Sequence, residues 1–220
     1  FLGMMFNVPL PGGTTGHAVG GTLIAILFGP YAACLSVSVA LLIQALFFGD
    51  GGILAFGANC FNMAFVLPFT GYAVYRFLRK RLTASSGEYM AAGLGAYVGI
   101  NAAALVAAIE FGIQPLLFTD AAGQALYCPY SLWISVPAMM IGHLTIFGLA
   151  EVVFTTAVLA YLRKTSPDLF QSVRMKTNRA LYGLIAALIV CTPLGLLAAG
   201  TAWGESFTFW IRIQAIQCIR

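Results

Sequence analysis

The chain has 220 residues, of which 60% are hydrophobic and only 8% are charged, with 11 basic and 7 acidic side chains. About a quarter of the residues in a typical soluble domain are charged, so a water-soluble globule of this size is excluded. The sequence instead predicts an all-α, polytopic bundle of transmembrane helices with no room for a sizeable soluble domain. The net charge of +4 does not indicate nucleic-acid binding, because most of the basic residues fall in two short segments.

Five stretches are long and apolar enough to cross a bilayer, since each exceeds about 18 mostly uncharged residues. These helices are predicted near residues 22–48, 53–78, 90–110, 131–162 and 180–199. The chain does not begin with Met, and residues 1–6 look like the last turns of an apolar helix, so we expect missing N-terminal helices before them.

Residues 1–205 are assigned to a single, N-terminally truncated integral-membrane domain, and residues 206–220 to a tail without an assigned role. The cysteines show no CxxC spacing, and most of them fall within apolar runs. They are therefore interpreted as small buried hydrophobic residues and not as a disulfide framework or a thiolate metal site.

The first apolar stretch, residues 22–48, allows two topologies. Its 27 residues would form a helix of about 40 Å, which is longer than the hydrocarbon core of about 30 Å requires. A break at Gly29-Pro30 would give a half-helix followed by a full helix and would place the preceding segment on the outer side. A single crossing would place that segment inside.

Two basic segments orient the bundle. Arg76 to Arg81 carries four positive charges, and residues 163–179 carry five, so both are expected in the cytoplasm. Residues 49–52 and 112–130, which contain no Lys or Arg, are then expected on the outer side.

The segment from residue 8 to residue 21 is rich in Gly, Pro and Thr and contains His17. Irregular backbone at membrane depth is tolerated only where it packs against protein or lines a polar cavity. A neutral imidazole is a common ligand for Co, Ni, Cu or Zn, and Thr14 or Thr15 would fix its tautomer from outside the coordination sphere. The alternative is a structural histidine that packs the loop.

His143 and Glu151 are eight residues apart, slightly more than two helical turns, so both side chains can face the same side of one helix. Ionisable groups within membrane segments are candidates for function. The alternatives are a packing histidine that hydrogen-bonds a neighbouring helix, and a glutamate that anchors a helix contact or a partner interface. Asn59 and Asn62 are expected either to cross-link helices or to surround a polar site.

Sequence motifs of catalysis are absent: no GxSxG, HExxH or GxxxxGK[ST] pattern occurs. The chain is therefore not expected to be an enzyme, and a separate subunit would have to supply ATP hydrolysis for active transport.

Several motifs together resemble one family, the CbiM/NikM proteins, which are substrate-specific membrane components of energy-coupling-factor transporters for cobalt or nickel. The motifs cover nearly the whole chain in order. They are PGGTTGHAVGG (11–21), AILFGP (25–30), QALFFGDGG (44–52), LAFGANCFNM (54–63), GIQP (112–115), PAMM (137–140), TPLGLL (192–197) and GTAWGE (200–205).

The resemblance implies that Co(II) or Ni(II) is the transported substrate, without an organic cofactor. In that family the ligands are the N-terminal amine, the histidine after the initiator methionine, and a histidine that matches His17. Near-planar nitrogen coordination suits Ni(II) or Co(II) better than hard cations. The resemblance also implies a multi-pass protein of a prokaryotic cell (inner) membrane, surrounded by lipid and connected with cobalamin biosynthesis. Its implied partners are a CbiQ-like coupling subunit, CbiO-like ATPases and a small CbiN-like accessory protein.

Two other functions compete with metal uptake. An intramembrane enzyme would use His143 and Glu151, but no convincing nucleophile accompanies them. An ion-coupled carrier using the same residues would usually show inverted repeats with matching broken helices, and the sequence contains none that we detect.

Overall fold

The computed structural model describes residues 4, 8–10, 14–48 and 50–167. The predicted helix 180–199, the tail 206–220, and the basic residues after Lys164 lie outside the described residues. Cys34, Cys60 and Cys128, which lie within them, are buried free thiols, as predicted.

The described chain is a bundle of helices, which confirms the predicted all-α membrane fold. The helices are α1 (Gly21–Phe28), α2 (Pro30–Ile43), α3 (Phe56–Asn59), α4 (Leu67–Arg79), α5 (Ser85–Leu117), α6 (Leu132–Gly142) and α7 (Gly148–Thr165). Three π-helical segments, π1 (Gln44–Phe48), π2 (Cys60–Val66) and π3 (His143–Phe147), continue or join them. Three continuous runs are long and apolar enough to span a membrane: Pro30–Phe48, Ser86–Leu117 and Leu132–Thr165.

The first apolar stretch is split at Gly29, which confirms the half-helix interpretation. Gly29 has φ 91° and ψ 157°, a conformation that side-chain-bearing residues rarely adopt, and it ends α1 after eight residues. Pro30 then begins α2, where its missing N–H would have had no helical partner in any case.

A short antiparallel hairpin precedes α1, where the sequence had indicated only irregular backbone. Strand β1 (Val8–Leu10) pairs with β2 (Thr14–Gly16), with Val8 opposite Gly16. Neither strand was predicted, because neither alternates clearly between apolar and polar residues.

Helix α5 extends beyond the predicted 90–110 at both ends. Each predicted end lies near a glutamate, and in the fold each glutamate has a partner that lets the helix continue past it. Glu88 lies in the first turn of α5, where a carboxylate is favoured by the helix dipole, and it pairs with Arg163 of α7. Glu110 accepts a 2.6 Å hydrogen bond from Asn62 Nδ2. The Glu88–Arg163 pair also brings the described parts of the two basic segments to the same end of the bundle, as predicted.

Helices α1, α4 and α5 pack closely through small residues. A Cβ on Gly95 would lie 2.6 Å from the Gly71 carbonyl oxygen, and one on Gly99 would lie 2.7 Å from the Leu67 carbonyl oxygen. Thr22 of α1 is fully buried at this crossing, and a Cβ on Gly71 would overlap its hydroxyl oxygen. Such close approach of backbones stabilises helix pairs in membranes, where the hydrophobic effect does not hold helices together.

We expect Gly95→Ala to destabilise the bundle by about 1–3 kcal/mol, because the added methyl group overlaps backbone that cannot move aside independently. Val98→Leu, on an exposed side of the same helix, is the control and should leave stability nearly unchanged. Thermal unfolding in detergent micelles measures both; equal melting temperatures for the two variants would contradict the close α4–α5 packing.

Candidate metal site

His17 lies in the segment of residues 17–20, between β2 and α1, and is partly buried. Its Nδ1 lies 3.4 Å from the carbonyl oxygen of Ala18. Burial lowers the pKa of His17 from its usual 6.5, and the Ala18 carbonyl and the charge of Asp50 only partly oppose this effect. The imidazole is therefore neutral at physiological pH, which is the state that binds a metal ion.

The carboxylate of Glu151 anchors this segment to α7. Its two oxygens accept hydrogen bonds of 2.8 Å from the backbone N–H groups of Val19 and Gly20. The Glu151 side chain is fully buried, and Gly20 has φ 74°, a conformation suited to glycine. A carboxylate that accepts two backbone N–H bonds fixes the course of the segment that carries His17.

His143, Phe147 and Glu151 lie at intervals of four residues and form one face of the continuous helical run α6–π3–α7. The Phe147 ring fills the space beside Gly16, since a Cβ on that glycine would lie 2.2 Å from the ring. The His143 and Phe147 ring centroids are 5.1 Å apart. This face meets Gly16 of β2 and Gly20 of the His17 segment. His143, Phe147 and Glu151 are all buried, as expected if His143 and Glu151 face the same side of the run.

The hydrogen bond of His143 corrects one interpretation made from the sequence. Its Nδ1 lies 2.9 Å from the carbonyl oxygen of Met139, in its own helix, and not from a group of a neighbouring helix. The residue begins π3, where the helix widens, so its side chain reaches back to the preceding turn.

The four residues predicted to surround His17 lie in different elements of the fold. Thr14 lies in β2 opposite Leu10, and Thr15 is exposed. Asn59 Nδ2 donates to the Gly51 carbonyl at 3.0 Å, and Asn62 Nδ2 donates to Glu110. The Asn62 bond joins π2 to α5, as expected for a cross-link between helices, whereas the Asn59 bond joins α3 to the loop at Gly51. Glu151 bonds the His17 segment directly, and Phe147 lies against Gly16 beside it.

Two residues with contacts across the bundle were not singled out from the sequence. Phe147 had no signal that distinguished it from other apolar residues of its helix. Glu110 did have one, because an ionisable residue within a membrane segment is by default a candidate for function. Its bond to the buried Asn62 satisfies one oxygen of this carboxylate.

Among the described residues, no group of three or more His, Cys, Asp or Glu side chains is arranged to hold a metal ion. His17 therefore presents a single imidazole nitrogen on a fixed segment. A complete coordination sphere around a metal ion at His17 would need further donor atoms, beyond the His, Cys, Asp and Glu side chains of the described residues. Glu151 is committed to two backbone amides, so its role here is to position the segment.

We expect the stability of the His17 segment to fall in the order wild type, Glu151→Gln, Glu151→Ala. Gln retains one acceptor oxygen, whereas Ala leaves the N–H groups of Val19 and Gly20 unpaired, at a cost of roughly 1–3 kcal/mol for a buried group. Hydrogen exchange in detergent should show faster exchange of residues 17–20 in that order, while Asp120→Ala, in an exposed turn, should not change it. Wild-type exchange in Glu151→Ala would contradict the anchoring role.

We expect Gly16→Ala to displace the hairpin from π3, because the methyl group would overlap the Phe147 ring. The double variant Gly16→Ala/Phe147→Leu should recover much of the lost thermal stability, since the smaller side chain makes room. If the second substitution lowers the melting temperature further by its full individual effect, the two residues are not in contact as described.

A family model described as "cobalt uptake substrate-specific transmembrane region" matches residues 1–169. A probable fused nickel transport protein, LarMN, of Lactiplantibacillus plantarum is 55% identical over 93% of this chain and 62% of its own length. A fused nickel transport protein, NikMN, of Rhodobacter capsulatus is 54% identical over 93% of this chain and 60% of its own length. The chain thus spans about three fifths of the length of these two curated relatives.

A shorter relative and a solved structure match in the same way. A putative metal transport protein of Methanocaldococcus jannaschii is 56% identical over 81% of this chain and 76% of its own length. The crystal structure of a transition metal transporter superposes with a TM-score of 0.71 at 50% identity, covering 85% of this chain and 77% of that one. Together with the matched family model, these similarities show that the chain belongs to the CbiM family of cobalt uptake substrate-specific transmembrane regions.

Proposed function

We propose that this chain is the substrate-binding membrane component of an ATP-driven importer of Co(II) or Ni(II). The observation that carries this proposal is His17, a neutral imidazole on a segment that the buried Glu151 carboxylate holds in place. The names of the relatives, which include nickel and cobalt transport proteins, support the same substrate class.

The proposed coordination relies on neutral nitrogen donors, with His17 as the ligand in the described part of the chain. Nitrogen ligands suit Co(II) and Ni(II), whereas carboxylate oxygens suit harder cations such as Mg(II) and Ca(II). The one fully buried carboxylate beside the segment, Glu151, already accepts two hydrogen bonds from backbone amides. Thr14, Thr15, Asn59 and Asn62 remain proposed contributors to the polar surroundings of the ion.

The proposed transporter works with other proteins in a prokaryotic cell (inner) membrane. A CbiQ-like coupling subunit and CbiO-like ATPases would supply the energy, and a CbiN-like accessory protein would complete the uptake complex. Two relatives are named as fused transport proteins, so an accessory component joined to the same polypeptide agrees with this proposal. We further propose that residues 1–205 form a single membrane domain.

A catalytic role for His143 and Glu151 is less well supported. Glu151 is fully buried and both of its oxygens bind backbone N–H groups, so it is not free to accept a proton from a substrate. We therefore propose a transporter component and not an enzyme.

We expect His17→Ala in the full-length protein to weaken binding of Ni(II) or Co(II) at least about 100-fold, because a direct ligand contributes at least as much as its outer-sphere partners. Asp120→Ala, in an exposed turn, is the control and should bind nearly as wild type does. Isothermal titration calorimetry with metal analysis measures both variants. Wild-type affinity in a folded His17→Ala protein would reject His17 as a ligand.

A further inference from the structure

The tautomer of His143 is fixed by its environment. A carbonyl oxygen can only accept a hydrogen bond, so the 2.9 Å contact between Nδ1 and Met139 oxygen requires the proton to be on Nδ1. Nε2 then carries the lone pair. This arrangement, with Nδ1–H bonded to a carbonyl and Nε2 available, is the one in which histidines bind metal ions in proteins.

His143 is buried, with 7% of its surface exposed, yet its Nε2 has no hydrogen-bond partner among the described residues. The lone pair of Nε2 is therefore not used by a hydrogen bond within the described part of the chain, and it is available to a ligand. Packing against Phe147 explains the orientation of the ring but not why this position carries a nitrogen lone pair.

The position of His143 relates it to His17. Its ring is adjacent to Phe147, the ring on which Gly16 rests, and Gly16 directly precedes His17. The two histidines of the chain are 126 positions apart in sequence (143 − 17), and in the fold only Phe147 and Gly16 stand between them along this series of contacts.

We propose that Nε2 of His143 is a second, weaker binding station for the transported ion, which exchanges the ion with the site at His17. This inference rests on the proposed function and extends it from capture to release. A single imidazole binds Ni(II) or Co(II) weakly, because it supplies only one of several ligand positions. A weak station beside a tight one allows the ion to leave in two small steps instead of one large step.

A transfer station has a kinetic signature that differs from that of a structural residue. A transfer station lowers the free-energy barrier that the ion crosses between the tight site at His17 and the surrounding solution. It therefore accelerates binding and release by the same factor and leaves the dissociation constant unchanged. A residue that only maintains the shape of the site would change the dissociation constant or the melting temperature.

The experiment uses the full-length protein in lipid nanodiscs, with Ni(II) as the probe. Stopped-flow mixing of loaded protein with excess chelator gives the release rate, and mixing of free protein with Ni(II) gives the binding rate. We expect His143→Gln and His143→Asn to slow both rates at least fivefold, with the dissociation constant within twofold of wild type. Thr145→Val, which removes an exposed hydroxyl group from the same π3 segment, should alter neither rate.

A second measurement observes the station directly. His17→Ala should retain weak Ni(II) binding that the double variant His17→Ala/His143→Gln loses, with both proteins folded by thermal melting. The proposal would be overturned if both His143 variants had wild-type rates, or if they lost affinity along with rate. Equal residual Ni(II) binding in His17→Ala and in His17→Ala/His143→Gln would also overturn it. If wild type itself does not bind Ni(II) or Co(II), the proposed function fails as well, and that outcome is distinct from wild-type binding with unaltered rates.

Discussion

The arrangement of the candidate site depends on one buried carboxylate. Glu151 belongs to the long helix that ends the described chain, and it bonds two consecutive backbone amides more than 130 positions earlier in the sequence. A buried charge is costly unless it is hydrogen-bonded, and here two amide dipoles satisfy it. The same bonds satisfy N–H groups that precede a helix and would otherwise have no intrahelical partner. The two needs are met together, so the segment with His17 has a defined path although it is neither helix nor strand.

The spacing of four residues places two further side chains on the same face as this anchor. Positions 143, 147 and 151 follow one another along a single face, and each contributes something different: an imidazole, a ring that fills the space beside a glycine, and a carboxylate. The small residues of α4 and α5 have a complementary role, because they leave room for Thr22, in the first turn of α1, to pack against both helices. The site is therefore defined by two rigid contacts, one on each side of the segment.

The sequence was sufficient for the class of fold and for most helix positions, since long apolar runs and breaks such as Gly29-Pro30 have direct physical meaning in a membrane. It was also sufficient for the shared face of His143 and Glu151, which follows from spacing alone. It was not sufficient for the hairpin, which has no alternating pattern, or for the role of Phe147, which is visible only through its contact with Gly16. The choice between a helix anchor and a partner interface for Glu151 depended on contacts across the bundle, which no local pattern encodes. The ends of α5 were misjudged for a related reason, because Glu88 and Glu110 find their partners on other helices.

The eight-residue helix α1 has an electrostatic consequence. At about 1.5 Å per residue it is only about 12 Å long, so its amino-terminal end lies within the protein, directly after the His17 segment. The first turn of a helix carries a partial positive charge equivalent to roughly half an elementary charge, which would repel a divalent cation. The Glu151 carboxylate is hydrogen-bonded at that end and offsets this field. The buried glutamate thus opposes the positive end of the broken helix, and it reduces the repulsion that a cation near His17 would otherwise meet.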